Sequence, residues 1–80
     1  MVVTIYSPPG QHADNIRLSA EQTLSSLGVK AQVHVESDEF GFASAGVMFT
    51  PAVSVNGTLI SNGWVPEPRD LAEALSGGRY

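Results

Sequence analysis

The side chains in this sequence that could do chemistry are two histidines, a Tyr6-Ser7 pair, a knot of carboxylates and one tryptophan; there is no cysteine. His12 falls at the start of an amphipathic segment, where an imidazole could act as acid, base or ligand. The positive end of a helix disfavours imidazolium, so a solvent-facing polar residue is the simpler account. His34 alternates with Val33 and Val35, on a sheet face that lies under a helix or in water. Two histidines far apart in sequence, with no ligand spacing, do not make a metal site, and thiolate ligation is impossible; neither metal nor cofactor is expected. Glu36, Asp38 and Glu39 could serve general acid/base work, but that needs a pocket and separated pKa values. Asp38 as a helix cap, with acids in the first turn, explains them better. Trp64 either packs under the last helix, the favoured reading, or stands out as a recognition anchor. No residue is assigned a catalytic role.

The elements that must position these groups follow from patterning. Val2 to Tyr6 is a buried strand closed by the turn cluster Ser7-Pro8-Pro9-Gly10. From Gln11 to Leu27 the apolar residues Ala13, Ile16, Ala20, Leu24 and Leu27 recur at three- and four-residue steps, an amphipathic helix that Gly28 stops. Ala31, Val33 and Val35 alternate with Gln32, His34 and Glu36 as a second strand with one wet face. Ser37-Asp38 can cap a short helix through Ala45, with Phe40, Phe42 and Ala45 as core contacts, although Gly41 inside it costs about 1 kcal/mol. Ala52–Val55 and Thr58–Ile60 flank Asn56-Gly57, a type I′ hairpin signal. After Gly63-Trp64-Val65, Pro66-Glu67-Pro68 leads into a last helix with Leu71, Ala74 and Leu75 as its buried stripe; residues 76–80 read as a loose tail.

Eighty residues make one small domain. A net charge of −4 with four scattered basic residues gives no phosphate-tracking surface, so no nucleic-acid partner is expected. The start lacks the basic region and long apolar run of a signal peptide, and no segment approaches the roughly 18 apolar residues of a membrane span. The expectation is a cytoplasmic protein without membrane contact.

Thr50-Pro51 carries the most information. Pro51 opens the apolar alternation Ala52-Val53-Ser54-Val55, and a proline there must sit at the first position of a strand or on an edge. X-Pro bonds are the ones for which cis is accessible, and a cis bond is expected where the chain turns from Phe49 into the strand. With the strand Val3–Tyr6, the block Gly46-Val47-Met48-Phe49-Thr50-Pro51-Ala52-Val53, Val55-Asn56-Gly57 and Gly63-Trp64-Val65-Pro66, the chain resembles the small thioredoxin-like "redox-active disulfide" proteins over nearly its whole length. The resemblance implies an α/β, thioredoxin-like fold, β-α-β-α-β-β-α, with a mixed four-stranded sheet flanked by helices.

In that family a Cys-x-x-Cys pair follows the first strand, and the frame set by the strand puts Gly10 and Ala13 at those positions. Such a pair works because a helix N-terminus stabilises one thiolate, which attacks a disulfide while the second cysteine resolves it. Gly10 and Ala13 can do neither. The resemblance leaves a non-redox binding module that pairs an extended peptide or protein segment through Phe49, Thr50 and Pro51, with Ser7, His12 and Trp64 beside them. Two rivals stand. Glutathione transferases, which share the fold, use a Ser or Tyr near the end of strand one, so Ser7 or Tyr6 could activate a thiol-containing small molecule. Alternatively, the domain is a purely structural subunit, related to thiol–disulfide oxidoreductases by ancestry only, that stays monomeric or forms a weak homodimer through the outer strand of the hairpin.

Overall fold

Val3 and Ile5 are the largest side chains buried completely, and the strand that carries them, β1 (Val2–Tyr6), is hydrogen-bonded on both sides. The computed structural model describes residues 2–75, apart from the side chains of Pro68 and Leu75. The expected Leu75 contact and the tail over 76–80 therefore lie outside the described residues. After β1 come α1 (Gln11–Leu27), β2 (Gln32–Glu36), α2 (Glu39–Ala45), β3 (Ala52–Val55), β4 (Thr58–Asn62) and α3 (Pro68–Leu75). This is the expected thioredoxin-like order. The sheet runs β2-β1-β3-β4. β1 pairs with β2 in parallel and with β3 antiparallel, and β3 pairs with β4 as an antiparallel hairpin.

Register sorts the side chains into two faces. Val3 and Ile5 lie beside Val33 and Val35 on one flank and Val55 and Val53 on the other. On this face Ile16, Ala20 and Leu24 of α1 and Leu71 and Ala74 of α3 complete the core. Thr4 lies beside His34, and Tyr6 beside Glu36, on the opposite face. There α2 crosses the sheet, and Phe42 meets Tyr6 edge to face with ring centroids 6.2 Å apart.

The turns and caps have the expected chemistry. Asp38 accepts from the Phe40 N–H at 2.9 Å, Gly28 closes α1 at φ 67°, and Asn56 and Gly57 both take positive φ. Gly41 has a reason to be glycine: a Cβ there would lie 2.6 Å from the Cγ and Cδ of Glu36. Any larger residue there would have to push the Glu36 side chain aside.

Three expectations need correction. Leu27 is 48% exposed, because it is the last residue of α1, beyond the turn that Leu24 anchors. Phe40 is 84% exposed and no residue of α2 is fully buried. Phe40 stands two residues from Phe42, about 200° around the helix, so only one of the rings can face the sheet. β4 also continues to Asn62, two residues past the expected end.

The β3–β4 register shifts between Val53 and Ser54. At the shift the Val53 N–H donates to Ser61 Oγ at 3.1 Å, and both residues are 2% exposed. A side-chain hydroxyl thus stands in for a ladder carbonyl. Ser61→Ala should leave that buried N–H unpaired and lower unfolding free energy by about 1–3 kcal/mol. Urea denaturation checks this; a midpoint unchanged from the parent would show that water replaces the hydroxyl.

Candidate binding site

One end of the sheet gathers the loops. In the antiparallel β1–β3 pair Tyr6 lies opposite Ala52, so Ser7, the next residue, arrives beside Pro51, the preceding one. Ser7 also donates its N–H to the Glu36 carbonyl at 3.1 Å, bringing the end of β2 alongside. Asn62 lies opposite Ala52 across the hairpin, which delivers Gly63 and Trp64 to the same edge. The starts of α1, α2 and α3 all follow strands that end here.

The loop before β3 is held by one side chain. Asn62 Oδ1 accepts from the Met48 N–H at 2.9 Å and the Phe49 N–H at 3.0 Å, while its Nδ2 donates to the Gly46 carbonyl at 3.4 Å. The Gly63 N–H donates to the Pro51 carbonyl at 2.8 Å, and the Thr50-Pro51 bond is cis. Gly63 has φ +106°, and a Cβ on it would meet Phe49 Cβ at 3.0 Å, so the two loops touch where only glycine fits. Met48 is 77%, Phe49 65% and Trp64 56% exposed. Between them, neither the N–H nor the carbonyl of Thr50 holds a hydrogen bond among the described residues.

A family model for the thioredoxin domain matches residues 1–76 of the chain. The chain belongs to the thioredoxin-domain family. Comparison with curated proteins and with solved structures gives no match. Thioredoxin chemistry is dithiol–disulfide exchange, and a chain with no cysteine lacks the thiolate that starts it and the thiol that resolves it. In this thioredoxin domain Gly10 occupies the N-cap of α1, with φ 144° and no side-chain cap hydrogen bond. Ala13 lies three residues on, 2% exposed beneath the helix. At Gly10 a side chain would find open space but a backbone that L residues rarely adopt. The start of α1 is therefore shaped to glycine and not to a cysteine.

Ser7 is buried, and its Oγ donates to the Pro8 carbonyl at 3.2 Å; Tyr6 is half-buried on Phe42. The Ser7 hydroxyl is thus engaged in turn formation, and the Tyr6 ring in packing. His12 is exposed on α1. His34 is exposed too, with Nε2 3.3 Å from Gln32 Oε1 on the strand face away from the core. Among the described residues no three His, Asp or Glu side chains gather to hold a metal ion, and no helix is long and apolar enough to cross a membrane.

Trp64 departs from expectation. It stands out from the surface, while Val65, itself 41% exposed, and Pro66 line with Ile16 and Leu71 a void of about 20 Å³ at the edge of the core. Sequence reasoning missed Asn62 altogether. Its position just past an expected strand end gave no signal, because its function depends on a loop sixteen residues upstream.

Asn62→Ala should remove both acceptor bonds from the 46–49 loop and cost about 1–2 kcal/mol, since the bonds are exposed to water. Asn62→Asp, which keeps an acceptor, should retain most of this. Amide hydrogen exchange at Met48 and Phe49 checks it: protection lost in the alanine variant and kept in the aspartate variant is expected. Equal protection in both would remove Asn62 from its role as the clamp.

Proposed function

We propose that this thioredoxin domain is a binding module that grips an extended protein segment at the Thr50-Pro51 end of the sheet and performs no thiol chemistry. The observation that carries the reading is the unpaired Thr50 main chain flanked by exposed Met48, Phe49 and Trp64. An extended segment laid along Thr50 gains backbone hydrogen bonds, and its alternate side chains reach the apolar groups on either side. Neither contribution needs a cysteine. Tryptophan and phenylalanine bury large areas with little loss of rotamer freedom, which makes them effective anchors. Asn62 and Gly63 fix the loops before any partner arrives, so little ordering cost falls on binding.

The test is an NMR titration of the protein with a cysteine-free peptide of alternating apolar and polar residues, with and without dithiothreitol. The Thr50 amide should shift together with Met48 and Phe49, identically under both conditions, and the protein should reduce no disulfide in insulin. Phe49→Ala and Trp64→Ala should each weaken binding by about five- to thirtyfold. Shifts confined to β4, growing with protein concentration, would instead support self-association through the hairpin edge and end the groove reading.

A further inference from the structure

Among the described residues, the strand ends and helix starts gathered at this end of the sheet carry mostly carboxylates. Glu36 closes β2 beside Ser7, Asp38 and Glu39 open α2, Asp14 lies in the first turn of α1, and Asp70 lies in the first turn of α3. Among the described residues the cations sit elsewhere or are already engaged. Arg17 pairs with Glu21 at 3.0 Å and Arg69 with Glu67 at 3.2 Å. Lys30 precedes β2, at the far end of the sheet.

The positive ends of three helices oppose this field. Each contributes roughly +0.5 of a charge at most, so together they offer about +1.5 against five full carboxylates. The carboxylates win, and the end of the domain that presents Met48, Phe49 and Trp64 is electronegative. An apolar surface with an acidic surround discriminates by charge among segments that would otherwise fit it equally. Exposed Trp64 adds a second preference of the same sign, since an indole face attracts a lysine or arginine side chain.

We infer that the occupant of this groove is a cationic extended segment, with apolar residues facing Phe49 and Trp64 and lysine or arginine flanking them. The inference rests on the groove reading above and adds the chemistry of the partner to it. The partner is thus a protein segment whose sequence alternates basic and apolar residues; an acidic segment is excluded from the same groove.

Trp64 is the only tryptophan in the chain, so its fluorescence reports on the groove. Three tryptophan-free peptides share a Val-Leu-Val centre and differ only in flanking lysine, glutamine or glutamate residues. At low salt the lysine peptide should bind about tenfold more tightly than the glutamine peptide, and the glutamate peptide most weakly. The spread should contract at high salt, where exposed charges are screened. Asp14→Asn combined with Glu39→Gln changes two exposed carboxylates that hold no side-chain hydrogen bond among the described residues. This variant should narrow the spread, with the melting temperature lowered by no more than the modest amount that the loss of two helix-end charges implies. Equal affinity for the three peptides, or a reversed order, overturns the charge inference and leaves the groove in place. No response from Trp64, or from the Thr50 amide, to any of the three overturns the groove itself.

Discussion

Pairing of β1 on both of its edges is the constraint from which the rest of this domain follows. A strand bonded in parallel to β2 and antiparallel to β3 sends its C-terminal end to the point where β2 ends and β3 begins. Register then leaves no choice about neighbours: with Tyr6 opposite Ala52, Ser7 and Pro51 must meet. A slip of one residue would turn Val3 and Ile5 out of the core and Thr4 and Tyr6 into it. Two of the best-buried side chains in the protein therefore hold the geometry of the candidate site, although neither lies in it.

Elements governed by local chemistry were legible in the sequence. Asn56-Gly57 demands positive φ at both residues, Gly28 ends an amphipathic run, and Asp38 caps because its carboxylate reaches the Phe40 N–H two residues away. Each signal lies within a few residues of the structure it dictates. Errors arose where burial depends on partners distant in sequence. Phe40 and Phe42 are indistinguishable by composition, and only the crossing of α2 over Tyr6 decides which ring is covered. Leu27 satisfies the helical period and is nonetheless exposed, since no described residue covers the final turn of α1 on that side.

The candidate site was legible in its position and illegible in its construction. Thr50-Pro51 announces itself, because proline at a strand mouth has few permitted settings. Asn62 does not, because asparagine at a strand end is ordinary and its three hydrogen bonds reach Gly46, Met48 and Phe49 across the hairpin. The same holds for Trp64. Trp64 and Val65 are both exposed, and which of them reaches the core edge follows from the loop after β4, where Gly63 is bonded to Pro51.

Stability gives an independent reason to assign the exposed apolar groups to recognition. The buried cluster among the described residues is built of valine, isoleucine, leucine and alanine, with no aromatic ring in it. Phe40, Phe49 and Trp64 are all exposed. Full burial of one such ring is worth roughly 1.5–3 kcal/mol, while an eighty-residue domain without disulfides has only a few kcal/mol in hand. A sequence shaped by stability alone would place those rings inside. Phe49 and Trp64 sit instead on two loops that Asn62 and Gly63 tie together beside an unpaired stretch of backbone. Their free energy of burial is withheld from folding and remains available to whatever covers Thr50.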